Sequence, residues 1–356
     1  MRNRRFGKGL PVQLNFGKQR QIARVFSMVL RLLLFLLAFG SVFIDRAFAQ
    51  VDDPVSVDSA IVRVNIGVVD QRGRPITSLG RPNFSVFEDG VKQEISHFEM
   101  SSAPFSVVMM LDMSGSTKSF RQNIALSAAR FMDALAPDDR VAVIEFYDKV
   151  NVLNEFTTDR SRIAHSIQVA NGTGSTNLYK ALDIALEKLS KEGGRRKAIV
   201  VLTDGSDTPA KNQDREFLSK LRETEMANAI KPETNTDLSR LLDRSDRLGV
   251  TIYPLALPTG DPAKLADPTP LQVAMWTAAR SRLKLVADRT GGTLNAITRL
   301  DEMGRLYAIV AAELRTLYTI EYQPVNLVRD GKWRAVKVEV SDPDLIARSR
   351  QGYFAR

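Results

Sequence analysis

Apolar and polar residues alternate where the folded part of the chain begins. In "VRVNIGVVD", Val62, Val64, Ile66 and Val68 fall on one face and Arg63, Asn65 and Gly67 on the other. This period of two predicts a half-buried strand. "NFSVFEDGVKQEISHFE" predicts two further short strands about the Asp89-Gly90 turn. From residue 104 the texture changes. "FSVVMMLD" is a near-continuous apolar run, as in a strand covered on both faces. Phe120, Ile124, Ala128, Phe131 and Leu135 then recur at helical spacing. "RVAVIEFYD" and "VNVLNEF" predict a hairpin around Asp148-Lys149, and "KAIVVLTDG" and "VTIYPLALP" predict buried strands. Helical patterns separate them, in "RSRIAHSIQVA", "NLYKALDIALEKLSK", "DLSRLLDRSDRLG" and "LQVAMWTAARSRLKLVADRTGG".

Strands alternating with helices predict an α/β fold, a doubly wound, mostly parallel sheet with helices on both faces. The alternation runs over residues 104–300, with a polar insertion at 208–236 and a connecting helix at 301–316. After Thr316 the period of two returns in "YTIEYQP" and "WRAVKVEVSD". The expectation is that the strands of 317–356 pair with those of 60–103. Both ends of the chain would then build a small β-sandwich-like unit that holds the α/β domain as an insert. Residues 50–59 are short, polar and Pro-bearing, and read as a linker.

Charge changes this picture only at the N-terminus. Residues 1–49 carry nine Lys or Arg and one acid, a net of +8 out of the chain's +9, so the remainder carries only +1. No basic body exists to bind nucleic acid. The basic stretch precedes the apolar run "LLLFLLAFGSVFI" at 32–44 and the small-x-small "AFA" at 47–49, the pattern of an export signal cleaved after Ala49. The alternative is an uncleaved single-pass anchor, in which residues 25–49 would be the only membrane contact. Either reading places the body in an exported, secreted, periplasmic or cell-surface setting. The chain has no cysteine, which excludes disulfides and thiolate metal sites. An exported chain of this size without disulfides fits a bacterial source.

Three strand ends carry oxygen side chains: Asp112, Ser114 and Ser116 in "LDMSGST", Thr176 in "NGTGSTN", and Asp204 in "LTDGSDT". Taken singly, each has a structural explanation. Ser114 or Ser116 could cap the helix that follows, Thr176 or Asn177 could cap theirs, and Asp204-Gly205 could be a turn. Taken together, they occupy one edge of the predicted sheet, where ligands of doubly wound folds bind. Two carboxylates and three hydroxyls suit Mg²⁺ or Mn²⁺, with Ca²⁺ a further option, rather than Zn²⁺ or Cu²⁺.

Asp112-Met113-Ser114-Gly115-Ser116, with Thr176 and Asp204 following in order, resembles the metal-ion-dependent adhesion site (MIDAS) of von Willebrand factor A domains. All five positions match, and "VVLTDGSD" and "GSTNLYKAL" resemble the flanking sequence of that family. The resemblance covers about residues 104 to 300. A looser one, through "VVDQRGRPITSLGRPNFSVFEDG" and "RSRQGYFA", links residues 58 to 356 to bacterial secreted proteins with this domain. It implies that Ser114 and Ser116 bind the metal directly, that Thr176 does so when a partner is engaged, and that Asp112 and Asp204 act through bound water. The implied function is metal-dependent adhesion, with a partner protein supplying an acidic side chain to the ion.

Rival chemistries lack their parts. A nucleophile elbow needs a Gly where Asp112 stands, and the only histidines are His97 and His165, on a predicted strand and helix. "GTGST" lacks the Gly-Lys-Ser/Thr of a nucleotide loop. The expectation is therefore a non-enzymatic protein. The alternatives are a membrane-anchored assembly subunit of an envelope complex and a metal-assisted hydrolase. "GGRRK" at 193–197 reads as a solvated turn.

Overall fold

The computed structural model describes residues 61–72, 74–100 and 104–355. The expected leader at 1–49 and linker at 50–59 lie outside the described residues. Among the described residues, no helix is long and apolar enough to cross a membrane.

Strand β1 (Val62–Asp70) buries Val62, Val64, Ile66 and Val68, as the alternation requires. Strands β2 (Phe84–Glu88) and β3 (Val91–Gln93) form a hairpin on Asp89 and Gly90. Both turn residues have positive φ, 48° and 82°, which matches a tight turn to the twist of its strands. Where two strands were expected there are three, because the chain breaks at Glu94 and β4 (Ile95–Met100) leaves for a different sheet.

Strand β5 (Phe105–Asp112) has all 8 residues buried. A 3-10 turn (Gly115–Phe120) follows it, and α1 (Arg121–Asp133) begins only then. The helical spacing that starts at Phe120 is met, but the cap offered by Ser114 or Ser116 belongs to the 3-10 turn and not to α1. The turn has a local cause: "GSTKS" is poor in helix formers, and Thr117 Oγ1 lies 2.7 Å from the Asp112 carbonyl and 3.0 Å from that of Ser114. Next come β6 (Arg140–Phe146), β7 (Val150–Thr157), α2 (Arg160–Val169), α3 (Leu178–Ser190) and β8 (Arg196–Thr203). The polar segment after β8 folds as α4 (Thr208–Leu218), the one-turn α5 (Glu223–Met226) and the start of α6 (Thr236–Leu248). β9 (Val250–Ala256), α7 (Pro270–Thr290), β10 (Asn295–Ala296) and α8 (Met303–Arg315) complete the insert.

The central sheet has the order β10-β9-β8-β5-β6-β7. It is parallel except for the β6–β7 hairpin. Side chains of β5 feed both faces. Val107, Met109 and Leu111 meet Ile124 and Phe131 of α1 and Tyr307 of α8, while Val108 and Met110 meet Leu182 of α3 and Leu241 of α6. Each such side chain contributes about 1.5–3 kcal/mol on full burial. This is a von Willebrand A-like α/β fold. The chain builds β6 and β7 on one side of β5, then crosses to build β8 and β9 on the other. The boundary between β5 and β8 is thus the switch point, and Asp112 and Thr203 end those two neighbouring strands.

After α8, strands β11 (Tyr318–Tyr322), β12 (Trp333–Val340), β13 (Leu345–Ser349) and β14 (Gly352–Phe354) join the N-terminal ones. Two four-stranded sheets result, β13-β1-β11-β4 and β14-β12-β2-β3. They share a core that includes Val64, Ile66, Val86, Ile320 and Val338.

The "GGRRK" turn is not a freely solvated one. Arg196 opens β8 with its guanidinium 4.0 Å from the Phe105 ring centroid, and Arg195 donates to the carbonyls of Phe105 and Asp138. A guanidinium stacks on an aromatic face better than an ammonium does, so Arg196 is held against Phe105 where β5 and β8 begin to pair.

Candidate metal centre

The site is built by backbone bonds that bring three loops to the switch point. Met113 N–H donates to Phe146 O of β6 at 2.8 Å, carrying β5 one residue past Asp112. Gly115 N–H donates to Gly174 O at 3.0 Å, which ties the "SGS" loop to the "NGTGST" loop. Thr176 is held to the start of α4 twice. Its N–H donates to Thr208 Oγ1 at 2.9 Å, and its carbonyl accepts from Thr208 N–H at 2.8 Å.

Side chains complete the connection. Asp112 Oδ1 accepts from Ser114 N–H at 3.0 Å, and its Oδ2 accepts from Thr203 Oγ1 at 2.7 Å. Ser114 Oγ lies 3.1 Å from Ser116 Oγ, which in turn donates to Asp204 Oδ2 at 2.7 Å. Asp112, Ser114, Thr176 and Asp204 are buried, whereas Ser116 is exposed, so the cluster opens to solvent on the Ser116 side.

The capping explanation fails for the hydroxyls. Ser114 sits at the N-cap of the 3-10 turn and Asn177 at the N-cap of α3, and neither side chain makes a capping bond. Asn177 instead donates to Asp148 O at 2.6 Å. The turn explanation holds for half of Asp204, whose Oδ1 accepts from Ser206 N–H at 2.9 Å while Oδ2 faces Ser116. Gly205, at φ +86°, lets the chain reverse there. A Cβ at that position would stand 2.8 Å from Leu283 Cδ1 and 3.2 Å from the Ala279 carbonyl oxygen, which with the positive φ favours glycine.

The electrostatics are those of two acids forced together. Burial raises the Asp112 carboxyl, the Asp204 carboxylate raises it further, and the bonds from Ser114 and Thr203 offset part of this, leaving its pKa at about 7. Sequence reasoning missed Arg280 of α7. Burial lowers its pKa and Asp204 partly restores it, so a cation stands close enough to Asp204 to act on it. Arg280 also donates to Leu257 O and lies over the Trp276 ring, 5.2 Å from the centroid. Nothing in the spacing of "MWTAARSR" marks this arginine, because it comes from a helix some 70 residues beyond Asp204.

Among the described residues, no group of three or more His, Asp or Glu is placed to hold a metal ion. The donors gathered here are two carboxylates and hydroxyls, with no nitrogen or sulfur ligand among them. An oxygen set of this kind, with excess negative charge on a buried acid pair, fits a hard divalent cation.

Residues 107–206 match the family model of the von Willebrand factor type A domain. The matched stretch contains all five residues singled out at the switch point. Domains of this family mediate protein–protein interactions and commonly hold a divalent metal at the MIDAS. No curated protein matches the chain. Among solved structures, the chain is similar to the vWF domain of the type V pili tip protein Mfa5 from Porphyromonas gingivalis, at 14% identity and TM-score 0.44, covering 60% of this chain and 96% of that one. It is also similar to a von Willebrand factor type A protein from Catenulispora acidiphila, at 14% identity and TM-score 0.45, covering 84% of this chain and 64% of that one. A third is proximal thread matrix protein 1 from the mussel byssus, solved with a zinc-occupied MIDAS motif, at 16% identity and TM-score 0.44, covering 64% of this chain and 49% of that one.

Proposed function

We propose that this is an exported, metal-dependent protein-binding module rather than an enzyme. The observation that carries the reading is the hydrogen-bonded run Thr203–Asp112–Ser114–Ser116–Asp204 across the switch point, with Thr176 fastened beside it by Thr208. Ser114 and Ser116 would hold a divalent cation directly, Mg²⁺ or Mn²⁺ first and Ca²⁺ next, and Thr176 would join them when a partner is engaged. Asp112 and Asp204 would orient bound water and balance charge. A cation held by neutral hydroxyls keeps its appetite for an anion, and so supplies an attachment point for a partner's Asp or Glu. Thr203 and the Ser114 amide keep the Asp112 carboxylate fixed, so that the site is set before a partner arrives. Binding is favoured over catalysis because no histidine stands by the hydroxyls, and the carboxylates beside them are placed to serve the cation. His97 lies beside Glu99 on β4, and His165 is exposed on α2. Export rests on the basic and apolar pattern of residues 2–49.

Titration calorimetry of the full chain with Mg²⁺, Mn²⁺, Ca²⁺ and Zn²⁺ tests this. We expect one site that prefers the hard cations and is lost in Ser114→Ala. Equal binding by wild type and Ser114→Ala, or no binding at millimolar metal, would refute it.

A further inference from the structure

The polar segment after Asp204 does more than link strands. Helix α4 leaves the Asp204 turn directly and lies against α7, and Leu218, Met226 and Ala274 form a small buried cluster between the segment and that helix. Between α4 and α7 runs a groove of about 390 Å³, a size that suits a bound peptide side chain and some backbone. Ser116 and Asp204 line one end, so the groove is continuous with the proposed metal site. Its apolar lining comes from Leu265, Leu271, Met275 and Trp276.

The charges on this groove are sorted. Asp207 accepts from the N–H groups of Tyr179 and Ala210, and Asp214 is bound by Arg282, so these acids are already engaged. Lys211 and Arg215, which also line the groove, are exposed and make no ion pair among the described residues. The uncommitted charge is therefore basic, and it stands beside an apolar floor. Two buried polar atoms in the wall, Trp276 Nε1 and Thr259 Oγ1, have no hydrogen-bond partner, which leaves capacity for an occupant's carbonyl groups once those side chains turn toward it.

We infer that this groove receives an extended acidic segment of the partner protein, whose bulky apolar side chain, near the metal-bound acid, packs on Leu271, Met275 and Trp276. A second acid of the same segment faces Lys211 and Arg215. The inference rests on the proposed metal site for the first anchor. It adds that the 208–236 segment selects the partner, by supplying one wall and the basic rim. Large apolar anchors in pockets carry most of the affinity of such contacts, while rim charges speed and orient the approach.

The test is selection of a displayed random dodecapeptide library on the purified full chain in millimolar Mg²⁺, with elution by EDTA and then, as a separate fraction, by acid. Peptides in the EDTA fraction should carry an Asp or Glu within a few residues of a Leu, Ile, Phe or Trp, and a second acid. Their binding should fall about tenfold or more in Met275→Glu, and severalfold in Lys211→Glu/Arg215→Glu. The second variant alters only exposed positions, so a folding defect cannot imitate its effect. Unchanged binding in both variants, peptides without an apolar residue, or no EDTA-eluted peptide at all overturns the inference. Loss of selected peptides by Asp112→Ala with no effect of the groove variants sinks the groove alone. Purely apolar peptides that survive EDTA would assign the groove to another occupant. Peptides whose binding ignores both EDTA and Asp112→Ala would sink the metal-site reading itself.

Discussion

Replacing Asp214 by Ala should destabilise the protein by about 3–5 kcal/mol. Asp214 on α4 and Arg282 on α7 form a two-pronged ion pair, at 2.5 and 2.7 Å, and each side chain is only 9% exposed. Removal of one partner strands a buried guanidinium that also carries an unpartnered Nε, and that uncompensated charge sets the size of the loss. Residues Ser59–Arg356 form one compact unit. With an unfolding entropy of roughly 2.1 cal/mol/K per residue, the melting temperature should drop by about 5 to 8 °C. The assay is urea and thermal unfolding at fixed pH, run alongside Asp214→Leu/Arg282→Met. The double variant replaces both charges with apolar groups of similar bulk and should recover most of the loss. A loss below about 1 kcal/mol in Asp214→Ala, or a double variant no better than the single, would show that the pair does not hold α4 to α7.

Gly292→Ala should cost about 3 kcal/mol or prevent folding, because the new Cβ would stand 2.0 Å from the Ile252 carbonyl oxygen of β9, a backbone atom that cannot step aside. Urea unfolding reads this directly, and a near-neutral result would place the close approach in error. Glu313 on α8 has its carboxyl raised by burial, with partial relief from Thr293 and Arg348. A folded-state pKa above the unfolded value means that this group's contribution is full below the ordinary Glu range and is lost as pH rises through the raised value. Glu313→Gln should therefore flatten that part of the stability curve, and an unchanged curve would contradict the burial argument.

Much of this molecule was legible because its signals are local. The eight-residue apolar run of β5 announces a strand covered on both faces, and Asp-x-Ser-x-Ser at its end announces a loop rich in oxygen donors. Asp204 was legible as a strand-end residue and Thr176 as a pre-helix one, but Thr176 lies in the loop between α2 and α3 rather than at a strand end, and the fold then brings both loops to the loop after β5. What could not be read arises from contacts between distant segments. Arg280 lies on an ordinary helical stretch, and only the packing of α7 sets it near Asp204. The groove draws on α4 and α7, whose lining residues share no local pattern. Arg195 and Arg196 look like solvated charges until the Phe105 ring and two carbonyls from other segments meet them. Thr203 was hidden for a different reason. As the last residue of a buried strand it reads as packing, yet its hydroxyl fixes Asp112 from the neighbouring strand.

The account's central claim is that the switch-point oxygens hold a divalent cation. Thermal unfolding of the full chain in EDTA and then in millimolar Mg²⁺ or Mn²⁺, beside Asp112→Ala, tests it most directly. A ligand that binds only the native state at about 100 times its Kd adds about 2.7 kcal/mol, or a rise of about 4 °C for a unit of this size. The account predicts such a rise in the wild type and none in Asp112→Ala. No rise in either protein, or the same rise in both, would contradict it.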